Sequence, residues 1–178
     1  PVSMRPQRMS VTDIAHLVRD PYTIFAKHVL RLNPLEPIDG DIGARDRGNA
    51  IHGALDEFTR LAKTHVPDDA LTQLLRLGDE QFAKIEWHIA AQALWRQPFT
   101  RIAEWVIDWE RSRRDGIARV FAEQRGQITF SIGARDFTLS ARADRIELWR
   151  DGRLAILDYK TGSHPSPNEV HSGLEPQL

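Results

Sequence analysis

The sequence predicts a mixed α/β (α+β) domain, with a helical amino-terminal two-thirds and a small, mostly antiparallel sheet. Three observations predict it. Apolar residues recur at helical spacing to about residue 124, the period then shortens to two, and glycine and aspartate punctuate the remainder of the chain. With 178 residues, 41% hydrophobic and 28% charged, the chain is long and apolar enough to bury a core of its own. Residues 1–178 are therefore read as a single domain, and the opening on Pro1 reads as the start of a piece of a longer polypeptide.

Taken in order, Ser10 caps a helix through Leu17, with Asp13 favouring the same end. Pro21 suits the first position of a second helix carrying Tyr22, Phe25, Val29 and Leu32. Asn33 to Gly43, rich in proline, glycine and aspartate, reads as a loop. From Arg47 a helix carries Ile51, Leu55, Phe58 and Leu61 as an amphipathic stripe. Pro67, Asp68 and Asp69 restart the chain into a helix to about Trp87. A long helix is expected from Phe99 to about Gln124, burying Ile102, Val106, Trp109, Ile117, Val120 and Phe121. Its Arg111, Arg113 and Arg114 read as a solvated face rather than a strand-guiding patch. Ile128 to Ile132, Phe137 to Leu148 and Leu154 to Thr161 alternate, and read as three strands of an antiparallel meander. Gly162 to Leu178, with three prolines and two glycines, reads mostly as loop.

Composition narrows the chemistry. The absence of cysteine removes disulfides, cysteine nucleophiles, thiolate zinc sites and cysteine-ligated iron–sulfur clusters, so any metal is held by oxygen and imidazole. No apolar run approaches the ~18 residues of a membrane span, and Pro1 to Ser10 is no signal peptide, so the expected compartment is the cytoplasm. A net charge of −1, from 24 basic and 25 acidic residues, is not the balance of a stand-alone DNA binder. If DNA is the substrate, basic residues cluster on one face or a partner delivers the strand. Only Lys27, Lys63, Lys84 and Lys160 are lysine, which gives weight to a lysine at a motif position.

The most informative stretch is Ala143 to Trp149, the loop Arg150-Asp151-Gly152, and Arg153 to Gly162. A three-residue hairpin loop places glycine last, in the left-handed conformation. That loop sets Leu148 opposite Leu154, Ile146 opposite Ile156, Asp144 opposite Asp158 and Arg142 opposite Lys160. Two facing carboxylates repel, and a hard cation such as magnesium resolves the conflict. Asp158 and Lys160 share one face while Tyr159 points away, leaving its carbonyl near the site. In the register one residue over, Arg145 faces Asp158 as a plain ion pair and Asp144 is a surface charge; the hairpin alone leaves both open. His52, between Gly48 and Gly53, sits beside the stripe of its helix. It is either a satisfied core histidine or a further ligand. Glu123, expected where the long helix meets the first strand, is either an extra acidic ligand or a helix-end surface charge.

Taken together, Gly48-x-x-x-His52 on a helix, Ala143-Asp144-Arg145-Ile146-Glu147, and Asp158-Tyr159-Lys160-Thr161-Gly162 resemble the RecB-like branch of the PD-(D/E)XK nucleases. Ser10-Val11-Thr12, Asp20-Pro21-Tyr22 and Leu30-Arg31-Leu32 are similar to the opening of AddB-type carboxy-terminal nuclease domains. The resemblance implies a restriction-endonuclease-like core and a metal-dependent deoxyribonuclease, exonucleolytic, acting in double-strand break repair. It implies a catalytic centre of Asp144, Asp158 and Lys160, with Mg2+ (or Mn2+) on His52, Asp144, Asp158 and the Tyr159 carbonyl. DNA and an AddA-like helicase–nuclease subunit are the implied partners, with no membrane. The rivals are a catalytically silent nuclease fold serving as a DNA-binding scaffold and a freestanding small exonuclease. Many relatives carry a cluster-ligating cysteine before the Pro-Tyr pair. Here Asp20 stands there, so no iron–sulfur cluster is expected. The family continues past Gln-Leu with a tyrosine on a helix. Gln177-Leu178 ends this chain, so that motif reads as cut in half, its residues frayed and the site open on that side.

Overall fold

The computed structural model describes residues 4–33, 35, 43–85, 88–162 and 166–171. In chain order its elements begin with β1 (Arg8–Ser10), α1 (Val11–Arg19), α2 (Pro21–Ile24) and a π-helical turn (Phe25–Val29). Three longer helices come next, α3 (Ala44–Leu61), α4 (Ala70–Ala83) and α5 (His88–Arg113), then a 3-10 turn (Arg114–Gly116). The chain finishes with β2 (Ile117–Ile132), β3 (Arg135–Trp149), β4 (Leu154–Leu157) and α6 (Pro167–His171). Two compact units result, one of Pro1–Asp39, Arg125–Arg142 and Ser163–Leu178, the other of Gly40–Gln124 and Ala143–Gly162.

In the second unit α3, α4 and α5 close the apolar core. Ile51, Leu55 and Phe58 are buried as their spacing predicts, but Leu61 is 53% exposed. Four residues on from Phe58 the seam continues through Ala62, and Ala50 and Ala54 widen it. Leu74, Leu77 and Phe82 of α4 meet Phe99, Ala103, Val106 and Ile107 of α5, with the Phe82 and Phe99 rings edge to face at 5.4 Å. The predicted helix from Phe99 begins earlier and ends sooner. Pro98 lies inside α5, where it removes one backbone donor without ending the helix. Beyond Arg113 the chain turns and runs on as strand β2, so Ile117 and Val120 are buried from a strand and Glu123 is no helix end.

In the first unit β1 pairs in parallel with β3, Arg8 beside Thr138, Met9 beside Leu139 and Ser10 beside Ser140. The expected meander contained no such strand, because three residues give alternation too little length to show. Ser10 then caps α1 as expected: its Oγ accepts from the Asp13 N–H, and the Asp13 carboxylate accepts from the Ser10 N–H, each at 3.0 Å. Asp20 caps α2, accepting from the Tyr22 N–H at 3.1 Å and the Thr23 hydroxyl at 2.6 Å. The second predicted helix stops being α-helical at Ile24. Of its expected stripe Phe25 and Leu32 are exposed, and Ile24 is the buried residue. The predicted loop from Asn33 to Gly43, the helix end at Trp87 and Gln177-Leu178 lie wholly or mostly outside the described residues.

Asp13 is buried and ion-paired to Lys27 at 2.7 Å. Burial alone would raise its pKa, but hydrogen bonds from Lys27 and Ser10 hold it down at about 2. A depressed carboxylate stabilises the fold above its unfolded pKa, and that contribution is lost as pH falls from near 3.8 through about 2. Asp13→Asn is expected to cost roughly 2 kcal/mol at neutral pH. It should also flatten the stability decline below pH 4. Urea unfolding across that range measures both, and an unchanged slope would show that Asp13 does not carry the effect.

Candidate active site

The hairpin forms in the register its loop dictates. Leu148 pairs with Leu154, Ile146 with Ile156 and Arg145 with Leu157. Gly152 takes φ +85°, the left-handed conformation the three-residue loop requires. The alternative with Arg145 opposite Asp158 is thereby excluded. Strand β4 ends at Leu157, however, so Asp158 to Lys160 leave the ladder. Asp144 does not simply face Asp158: its Oδ2 accepts the Tyr159 N–H at 2.8 Å.

His52 reaches the same carboxylate from α3, with Nδ1 3.3 Å from Asp144 Oδ2. Its side chain is 31% exposed, so it is no core histidine. Gly48, one turn earlier, lets the next strand-end loop approach: a Cβ there would lie 3.1 Å from Thr161 Oγ1. The Asp158 carboxylate is engaged separately, its Oδ2 2.5 Å from Lys160 Nζ. Tyr159 points the other way, its ring packed against the helical core and edge-on to the His52 ring at 6.0 Å. Glu123 lies within β2 at φ +51°, a left-handed value that a non-glycine residue adopts only when its surroundings impose it. The Arg150 N–H meets the Gly116 carbonyl at 2.9 Å, which brings the chain just before β2 beside the chain just after β3.

In donor chemistry the set fits a hard divalent cation, being imidazole and carboxylate with no thiolate. In geometry it is partial. Among the described residues no three His, Asp or Glu side chains gather in a group able to hold a metal ion. His52 and Asp144 are brought together, whereas Asp158 is held by Lys160.

Directly behind Asp144 lies a cluster that the sequence pattern did not reveal. Arg145 is 1% exposed; its two terminal guanidinium nitrogens donate to Glu110 from α5, and its Nε donates to Glu147 Oε1 at 2.9 Å. Arg113 also binds Glu147, Arg114 sits 3.2 Å from Glu110, and the Arg113 guanidinium covers the Trp109 ring at 4.1 Å. Arg114 is therefore buried and Arg113 partly so, unlike the solvated face their predicted helix suggested, while Arg111 is exposed as expected; the end of α5 and the turn after it direct Arg113 and Arg114 toward these glutamates. Burial works against the charge of Arg145, but Glu110 and Tyr159 together outweigh it and raise the pKa. Arg114, more weakly paired, is lowered by burial, and burial pushes the Tyr159 phenol up. One signal was available: Arg145 and Glu147 alternate with Asp144 and Ile146, so they share the opposite face of the strand.

Residues 8–178 match the PD-(D/E)XK nuclease superfamily over nearly the whole chain. The chain belongs to that superfamily. An uncharacterized protein of Rickettsia bellii is 31% identical over 173 residues, covering 97% of this chain and 21% of that protein. A second, from Rickettsia felis, is 30% identical over 177 residues, again 97% of this chain and 21% of that protein. An ATP-dependent helicase/deoxyribonuclease subunit of Streptococcus pyogenes serotype M49 is 25% identical over 186 residues, 97% of this chain and 16% of that protein. This weaker similarity is to the AddB type of subunit. The chain thus spans about a fifth or less of the length of these relatives. No helix among the described residues is long and apolar enough to cross a membrane.

Removing one member of the buried cluster leaves its partners charged in the core. Arg145→Met is expected to cost ~3–5 kcal/mol in urea unfolding, and adding Glu110→Gln should recover part of it. A loss below ~1 kcal/mol, the size of an ordinary substitution, would contradict the burial of this charge.

Proposed function

We propose that this chain is the nuclease module of a longer helicase–nuclease subunit, hydrolysing phosphodiesters of DNA exonucleolytically during double-strand break repair in the cytoplasm. The observation that carries the reading is the His52–Asp144 contact at 3.3 Å, made inside a fold of this superfamily and beside the Asp158–Lys160 pair. His52, Asp144, Asp158 and the Tyr159 carbonyl would hold Mg2+ or Mn2+, and Glu123 is a candidate further carboxylate. When bound, such an ion neutralises charge on the phosphate and lowers the pKa of its water. The chain's own residues supply the rest. Lys160, 35% exposed, presents a compact ammonium that orients a water and offsets phosphate charge, and Asp158 aims it. Asp144 holds the His52 ring in orientation from the hairpin.

DNA is the proposed substrate and an AddA-like helicase–nuclease subunit the proposed partner. The second reading is a silent nuclease fold that binds DNA as a scaffold, favoured by the absence of a three-donor metal group among the described residues. The two separate on cleavage. In the full-length protein Asp158→Ala and Lys160→Ala are each expected to reduce magnesium-dependent release of nucleotides from linear duplex DNA by ~100-fold or more, as loss of a reacting group does. Circular dichroism should be unchanged. Wild-type rates in either variant would overturn this assignment, and a wild-type protein that binds DNA but cuts with neither Mg2+ nor Mn2+ would establish the scaffold.

A further inference from the structure

We propose that Tyr159 is a positioning residue that sets the relative placement of Asp144 and His52, an inference that rests on the nuclease reading. Tyr159 touches both halves of the site with different parts of itself. Its N–H holds Asp144 Oδ2 at 2.8 Å, and its ring edge meets the imidazole at 6.0 Å between centroids and 82° between planes. Its ring is packed against the helical core, and its phenol end lies on the opposite side, toward Arg145 and Thr59. Thr59 lies on α3 seven residues from His52, is 3% exposed, and donates its hydroxyl to the Leu55 carbonyl at 2.7 Å. Arg145 is fixed in turn by Glu110 and Glu147. The anchor therefore runs from α5 through Arg145 to Tyr159, and from Tyr159 to both Asp144 and His52.

The anchor matters because the ladder has already ended. Residues 158–160 are outside β4, so no strand pairing fixes the height of the Tyr159 N–H. What fixes it is the side chain of the same residue, packed against the helical core with its hydroxyl directed toward Arg145 and Thr59. Without the hydroxyl the ring stays buried but can slide along its axis. A slide moves the N–H from Asp144 and the ring edge from His52 together. Groups that orient a site's ligands in this way typically change activity by ~10- to 100-fold when altered.

Tyr159→Phe removes the hydroxyl alone, and Thr59→Val removes one of its partners while preserving shape. Both are tested in the full-length protein on linear duplex DNA with magnesium. In parallel, the His52 ring resonances are recorded by NMR in the metal-free 178-residue chain with labelled histidine, assigned through His52→Gln. For Tyr159→Phe the expected result is a kcat lower by ~10- to 100-fold with KM little changed, displaced His52 resonances and a nearly constant unfolding midpoint. Thr59→Val should move each readout in the same direction. Unchanged resonances with unchanged kcat would overturn the proposal. So would a kcat that falls only in proportion to folded protein lost. If wild-type protein cuts no DNA, the nuclease reading fails by itself, and the resonances alone then decide: displaced supports the positioning role, unchanged overturns it.

Discussion

Among the described residues Arg145 is the largest side chain that is fully buried, and a guanidinium in that position needs counter-charges within reach. Glu110 supplies one from the long helix and Glu147 supplies the other from the same strand. The arrangement has a geometrical consequence beyond energy. Side chains alternate along a strand, so slipping β3 by one residue would turn Arg145 and Glu147 outward and bring Asp144 and Ile146 inward. That slip would bury Asp144 against Glu110 with no cation between them. The correct register is thus enforced by charge on the inner face, while the hairpin loop enforces it from the end. Asp144 is held toward His52 because its neighbour is committed to α5.

Legibility tracks the range of the forces involved. The β3–β4 register was legible because the loop favours it locally: a glycine at the left-handed position of a three-residue loop points to the pairing observed, against the alternative one residue over. The capping of α1 by Ser10 and Asp13 is local in the same sense. The end of β4 could not be read. Nothing in Leu157-Asp158-Tyr159 says that the Asp144 carboxylate will take the Tyr159 N–H in place of a ladder partner, since that exchange depends on Tyr159 being anchored from elsewhere. The boundary between α5 and β2 failed for another reason. Ile117, Val120 and Phe121 are spaced by three and four residues, which fits a helix better than a strand, and the break at Asp115-Gly116 is brief.

The internal arginines were the hardest to see. Charged residues on a predicted helix are ordinarily solvated, and Arg113 and Arg114 turn inward only once Glu110 and Glu147 are placed beside them. Glu123 is the intermediate case. Its identity suggested a ligand, whereas its left-handed backbone within a strand is a property only coordinates give.

These internal pairings also bear on how DNA would reach the site. The sequence carries 24 basic and 25 acidic residues, a balance that already offers little general attraction for phosphate. Three of the arginines, Arg113, Arg114 and Arg145, direct their charge at Glu110 and Glu147 rather than outward, so they add little to the attraction for phosphate. Long-range steering by such a surface is weak, and salt screens what there is. On the proposed reading the strand must therefore be brought to Lys160 by something else. The relatives of this chain are about five times its length, so the rest of a longer subunit, or a helicase partner, is where that attraction would reside. A module that depends on delivery has no need of a basic exterior, and can use its arginines to hold the β3–β4 hairpin still.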